Sequence, residues 1–128
     1  MTRPSTRVAM PSPHSVTDAY RLVELIASLA VDEHDFVEFF RAPDETLSLT
    51  VARWPAGSVD DQQPHTEDEV YYVAAGRGTL TIGDAAVDVM PGSIAFVAAG
   101  VEHRFGAITE ALEVLVFWSP ARHTNSGR

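Results

Sequence analysis

Residues 57–76 read GSVDDQQPHTEDEVYYVAAG, a stretch that places one histidine and several acids directly before an alternating apolar segment. Gln63, His65 and Glu69 share parity, so their side chains would point to one face of a regular strand. On a straight strand, however, His65 and Glu69 would lie roughly 13 Å apart, which is too far to share one ion. They can converge only if the chain turns at residues 66–68, where Thr-Glu-Asp is a plausible turn sequence.

The segments around this stretch read as short strands that are rich in valine, isoleucine, threonine and aromatic residues. The predicted strands are FVEFF (36–40), LSLTVARW (47–54), EVYYV (69–73), GTLTI (78–82), AAVDVM (85–90), SIAFV (93–97), HRFGAI (103–108) and LEVLVFW (112–118). Turn residues separate most of them, and a hairpin turn is predicted at residues 76–78. Strands at this spacing predict an all-β sandwich or a small barrel.

One segment before the strands has helical spacing instead. Leu22, Leu25, Ile26 and Leu29 recur on one helical face, so an N-terminal amphipathic helix is predicted over residues 15–30. Its apolar stripe needs a surface to cover, and the barrel is the surface available.

Both ends of the chain read as flexible tails. Residues 1–14 are rich in proline, serine and threonine, and residues 119–128 follow the last predicted strand without an apolar pattern. The predicted single domain therefore spans residues 15–118, with its barrel at about 36–118.

The composition of the 128-residue chain limits the classes of function. Hydrophobic residues make up 45% of the chain, enough for one sizeable core. The formal net charge of −9 disfavours nucleic acid and anionic membranes as partners. The absence of cysteine excludes disulfides, thiolate metal sites and cysteine nucleophiles. No apolar run has the length of a membrane span and the N-terminal residues lack a secretory signal, so a cytoplasmic location is expected.

The stretch around His65 resembles the first motif of small single-domain cupins. That motif is a glycine, five residues, His-x-His, three or four residues, a glutamate, six residues and a glycine. The spacing here fits from Gly57 through His65 and Glu69 to Gly76, but Gln63 takes the place of the first histidine.

A second stretch resembles the second cupin motif, which is a glycine, five residues, Pro-x-Gly, two residues, a histidine, three residues and an asparagine. Gly92, Gly100 and His103 fit its spacing, whereas Ala98 replaces the proline and Ala107 replaces the asparagine. Together the motifs cover residues 57–107. The resemblance implies an all-β double-stranded β-helix, the jelly-roll barrel of cupins.

The resemblance further implies that His65, Glu69 and His103 bind one divalent metal ion inside the barrel. Two imidazoles and a carboxylate form a facial triad with open coordination positions, which suits Fe(II). Fe(II) or Mn(II) is therefore favoured, with zinc, nickel or copper as alternatives. Gln63 would be either a weak carbonyl ligand or a residue that orients a bound water.

Tyr71 has the same parity as Glu69, so it is expected to face the ion. Its hydroxyl could act in catalysis by donating to a bound substrate, or the ring could simply fill the barrel. Among the arginines, Arg53 is the candidate for binding an anion, because Arg77 lies in a predicted turn and Arg104 has outward parity.

Three further groups of residues are expected to be solvated. Glu67 and Asp68 are predicted to lie in an exposed turn, although Glu67 is near enough to be a substitute carboxylate ligand. Residues 32–35 (Asp-Glu-His-Asp) are predicted to form a charged connector. His14 and His123 fall in the predicted tails.

These expectations favour a mononuclear metalloenzyme of the cupin oxygenase type that acts on a small organic molecule. A non-redox lyase or isomerase would use the same ligands. The departures at Gln63, Ala98 and Ala107 keep a non-catalytic binding or sensing module open. A homodimer is expected through FVEFF (36–40), whose two alternating faces are both apolar.

Overall fold

A computed structural model describes residues 7–8, 19–61 and 64–123. The elements along these residues are β1 (Arg7–Val8), α1 (Leu22–Ala27), β2 (Asp35–Arg41), β3 (Ser48–Trp54), β4 (Asp68–Ile82), β5 (Ala85–Val89), β6 (Ile94–Val97) and β7 (His103–Ser119). The predicted all-β fold with one helix before the barrel is therefore confirmed. Within these ranges the structure has no helix that is long and apolar enough to cross a membrane.

The barrel is built around the antiparallel ladder of β4 and β7. This ladder runs from the pair Asp68–Ser119 to the pair Ile82–His103. The strand order is β1-β2-β3-β7-β4-β5, and β6 pairs with the first part of β4 whereas β5 pairs with its last part. Val97 at the end of β6 pairs with Glu69 near the start of β4. The loop after β6 and the first residues of β4 therefore lie at the same end of the barrel.

The predicted hairpin turn at residues 76–78 is wrong, since β4 continues through it. Gly76 lies instead where the β4–β7 register shifts, with a φ of 96°. A Cβ atom placed on Gly76 would lie 2.1 Å from the carbonyl oxygen of Ala111. Gly-x-Gly is compatible with either a turn or a bulge, and here it permits a bulge at which two backbones approach closely.

Helix α1 is shorter than the predicted range of 15–30. Residues 19–21 and 28–30 are not helical, and residues 15–18 lie outside the described residues. The helix ends where the Ser28 hydroxyl donates to the Leu25 carbonyl at 2.6 Å.

The helix side of the barrel has its own apolar cluster. Leu29 packs with Val37, Phe39 and Val51 of β2 and β3. On the opposite side of β2, Phe36 packs against the main barrel core. Both faces of FVEFF are therefore covered within one chain, which removes the reason for expecting a dimer through that strand.

The predicted flexible tail at residues 119–128 includes residues that belong to the folded domain. Ser119 completes β7, and Ala121 is fully buried with its amide donating to the Glu45 carbonyl at 2.9 Å. Arg122 also donates its amide to the Ser48 hydroxyl at 2.8 Å. These long-range contacts leave no local sequence signal, which is why the prediction missed them; residues 124–128 lie outside the described residues.

The predicted N-terminal tail is described at one place. Arg7 and Val8 form β1 and pair in parallel with Val37 and Glu38 of β2. The rest of residues 1–14 lies outside the described residues.

Gly76→Ala tests whether the bulge is rigid. The new methyl group would meet backbone atoms and would also require a positive φ, so we expect a loss of about 3 kcal/mol or more in the free energy of unfolding. Gly57→Ala is the matched control, because Gly57 has a φ of 76° but nothing within 4 Å of its Cβ position. It should cost about 1–2 kcal/mol, the strain of the left-handed conformation alone. Denaturant unfolding of both variants measures this, and equal losses would contradict a rigid bulge.

Candidate metal centre

Two hydrogen bonds from backbone amides bring the halves of the site together. The amide of Gly100 donates to the carbonyl of His65 at 2.6 Å, and the amide of Ala99 donates to the carboxylate of Asp68 at 2.8 Å. The loop that leads from β6 to His103 is thereby attached to the turn between His65 and β4. Although His65 and His103 are 38 positions apart in the sequence, both side chains reach the same end of the barrel.

His65, Glu69 and His103 meet at one point. Each offers one donor atom, and these atoms all lie within 4.8 Å of one another. An oxygen of Glu69 is 3.5 Å from Nε2 of His65 and 3.6 Å from Nε2 of His103. Ligands about 2.1 Å from a shared ion lie about 3 Å apart when adjacent and about 4.2 Å apart when opposite. The cluster could therefore hold one metal ion with small adjustments.

The donors are oriented for a cation. Nδ1 of His103 lies 2.9 Å from the Val101 carbonyl, an arrangement that places the proton on Nδ1 and the lone pair on Nε2. His103 and Glu69 are almost completely buried. Among the residues that the structure describes, neither Nε2 of His103 nor either oxygen of Glu69 forms a hydrogen bond of normal geometry. Buried polar atoms are rarely left in this state, and a bound cation would satisfy all three.

The pKa values of two of the three candidate donors reflect the enclosed site. Burial raises the pKa of Glu69 to about 7, although the Tyr71 hydroxyl opposes the shift. Burial, reinforced by the charges of His103 and Arg122, lowers the pKa of His65 to about 4. At neutral pH His65 is therefore neutral and can act as a ligand, and a bound cation would return Glu69 to its ionised form.

A cavity of about 90 Å³ adjoins these ligands. Besides His65 and Glu69, its walls are mainly aromatic and include Trp54, Tyr71 and Trp118. Tyr71 is 2% exposed and its ring centre lies 5.2 Å from that of Phe105, so the predicted inward orientation of Tyr71 agrees with the structure. The cavity suits a small molecule with an apolar body.

Arg53 does not reach the cavity, which corrects its assignment as the anion-binding arginine. Its guanidinium pairs with Glu113 and donates to the carbonyls of Leu29 and Ala30. It joins β3 to β7 and to the end of the helix. Gln63, the residue in place of the first motif histidine, lies outside the described residues, so its role stays a prediction.

Three residues near the site were not predicted from the sequence. Glu67 is 2% exposed and accepts a hydrogen bond from the Thr66 hydroxyl, so it is not a solvated turn residue. His34 stacks on Trp54 with ring centroids 4.7 Å apart and lines the cavity. Arg122 lines it from the segment predicted to be a loose tail. All three reach the site through tertiary contacts that have no local pattern.

Comparisons with known proteins agree with this geometry. The family model described as "Cupin domain" matches residues 50–119. A Streptomyces coelicolor protein named "Uncharacterized protein SCO3923" is 41% identical over 102 residues, which cover 80% of this chain and 95% of that protein.

Solved structures show the same fold. The protein TT1209 from Thermus thermophilus has a TM-score of 0.70 at 21% identity, covering 82% of this chain and 99% of that one. The DMSP lyase DddQ from Ruegeria pomeroyi has a TM-score of 0.57 at 24% identity, covering 66% of this chain and 42% of the lyase. At these identities the similarity concerns the fold.

Glu69→Ala should remove the bound metal ion. The carboxylate carries the only negative charge of the three donors, so its loss should weaken Mn(II) or Fe(II) binding at least about 100-fold while the barrel still folds. Elemental analysis of purified protein and a metal titration measure this. Glu110→Ala is the matched control, because its side chain is 64% exposed. Equal metal retention in both variants would mean that the ion binds elsewhere.

Proposed function

The chain belongs to the cupin-domain family, and from this premise we propose that it is a mononuclear metal-dependent enzyme of the oxygenase type that acts on a small organic molecule. The proposal depends on one observation above all, the buried cluster of His65, Glu69 and His103 beside a cavity with aromatic walls. Three protein donors leave coordination positions for a substrate, which a purely structural ion would not need.

Fe(II) is the proposed metal, with Mn(II) next. When bound, such an ion would supply Lewis acidity and, for Fe(II), redox chemistry with oxygen. Gln63 remains either a weak ligand or a residue that orients a water. Without a third imidazole the site should discriminate less in favour of copper, nickel and zinc.

The protein's own residues would position the substrate and move protons. Tyr71 is the proposed catalytic residue, because its ring lines the cavity and its hydroxyl acts on Glu69 electrostatically. A phenol in this position can donate a hydrogen bond or a proton to a substrate oxygen. Trp54 and Trp118 would exclude water from the reacting end of the substrate.

A non-redox lyase or isomerase is the second candidate. It would use the same three metal-binding residues, and Tyr71 offers a buried proton-transfer group beside them; such chemistry needs no oxidant. A binding or sensing module is the remaining alternative, and the motif departures at Gln63 and Ala107 are its support.

Metal analysis followed by oxygen-uptake measurements tests the proposal. Protein purified without a histidine tag should contain one redox metal ion per chain. The Fe(II)-loaded protein should consume oxygen when a panel of small organic acids and alcohols is added, and Tyr71→Phe should keep the metal but slow uptake about 100-fold. Substrate turnover that persists without oxygen would replace the oxygenase by the lyase or isomerase. Bound metal with no turnover in either condition would favour the binding module.

A homodimer remains part of the proposal, on a surface other than FVEFF. Ile94 and Phe96 of β6 are 71% and 60% exposed, and β6 pairs with β4 along one of its edges. A second copy could pair with the other edge of β6 and cover these two apolar side chains in a self-complementary contact. Light scattering at micromolar concentration should give a dimer mass that Phe96→Lys reduces to a monomer; a monomeric wild type would contradict it. The proposed location is the cytoplasm.

A further inference from the structure

Arg122 is held at the cavity wall by its own backbone. Its amide donates to the Ser48 hydroxyl at 2.8 Å, and its carbonyl accepts from the Arg41 guanidinium at 2.7 Å. The preceding residue, Ala121, is fully buried and donates to Glu45. The backbone of Arg122 is therefore held in place, which reduces the conformational entropy lost when its side chain binds a ligand.

Two aromatic rings position the guanidinium. Its central carbon lies 4.9 Å from the centre of the Phe36 ring and 5.4 Å from the centre of the Trp118 ring. Both rings also line the cavity. An aromatic ring attracts the cation through its π-face but supplies no carboxylate or carbonyl acceptor for the N–H edges of the guanidinium.

Those edges are available to a ligand. Within residues 19–61 and 64–123, the Arg122 side chain forms no hydrogen bond or ion pair beyond its two ring contacts. Burial lowers the pKa of Arg122, while the charges of Glu38, Glu67 and Glu69 raise it, but a guanidinium stays protonated at neutral pH. A partly buried cation without a hydrogen-bonded anion is characteristic of a binding group.

The nearby acids have closer partners of their own. Glu38 binds Arg41 through two hydrogen bonds of 3.0 and 2.9 Å. Glu67 accepts from the Thr66 hydroxyl, and Glu69 faces the two histidines. These acids surround Arg122 with negative potential, which would oppose a doubly charged group such as a phosphate more than a single carboxylate.

We propose that Arg122 binds the carboxylate of a small organic acid whose reacting end faces His65, Glu69 and His103. This inference rests on the proposed function for the reacting end and adds the class of substrate. The apolar body of the acid would lie against Phe36 and Trp118. When a divalent cation is bound, its charge exceeds that of Glu69 by one, so a monoanionic ligand would also suit the charge of the loaded site.

Binding of matched neutral and anionic probes tests the proposal. Propionate and benzoate are compared with propionamide and benzamide by calorimetric titration of the full chain, with Mn(II) and after chelation. In both forms of the wild type we expect each carboxylate to bind at least about tenfold more tightly than its amide. Arg122→Gln should abolish this preference in the metal-free protein. Arg122→Lys should restore part of it, because lysine has the positive charge but not the planar set of N–H donors that can bind both carboxylate oxygens.

Arg104→Gln is the control for loss of a positive charge, since Arg104 is an exposed residue of β7 that pairs with Glu102. It should leave the preference unchanged. A preference that persists in metal-free Arg122→Gln, or the absence of a preference in the metal-free wild type, would overturn the inference. The same Arg122→Gln protein should still bind one Mn(II) per chain, which confirms that the barrel is folded. Failure of the wild-type protein to bind Mn(II) would instead count against the proposed function. It would leave the carboxylate inference intact, because the titrations of the metal-free protein do not depend on metal binding.

Discussion

The attachment of Gly100 to the carbonyl of His65 is the contact on which the arrangement of the site depends. It joins the loop before His103 to the turn before β4, and the neighbouring bond from Ala99 to Asp68 reinforces it. In the β4–β7 ladder His103 pairs with Ile82, far along β4 from Glu69, so the ladder alone does not place these two donors side by side. The barrel therefore does more than provide a core, because its closure converts two separate sequence motifs into one donor cluster.

The closure also creates an electrostatic cost. It buries the carboxylate of Glu69 among aromatic side chains, where its ionised form is poorly solvated and its pKa is raised. A barrel selected for stability alone would be better served by an apolar residue at this position. A carboxylate between two imidazole nitrogens would instead be suited to a cation, which the cluster of three donors could hold. Arg122 is explained in the same way, because it lines the cavity in which a bound ligand would lie.

The fold could be predicted from the sequence because its signals are local and repeated. Alternating apolar residues and turn residues identify the strands, and the spacing from Gly57 to Ala107 identifies the barrel and its three donors. Ala107, which replaces the motif asparagine, has a φ of 46°, a conformation that asparagine tolerates better than alanine. The motif position thus reflects a backbone constraint that the sequence alone does not reveal.

What the sequence could not predict depends on contacts between distant residues. Arg122 reaches the cavity because Ser48 and Arg41 hold its backbone, and Glu67 is buried although it stands in an acidic run. Exclusion of Arg77 and Arg104 leaves Arg53 as the predicted anion-binding residue, but its side chain pairs with Glu113 on the neighbouring strand. The composition around Gly76 predicts a turn because a bulge and a turn have the same local residues.

The most direct measurement is a crystal structure of the Mn(II)-loaded protein with anomalous diffraction data. We expect one strong anomalous peak per chain, about 2.2 Å from Nε2 of His65, Nε2 of His103 and a carboxylate oxygen of Glu69. A peak at surface acids alone, or an ordered cluster of these three side chains without a peak under saturating Mn(II), would contradict it.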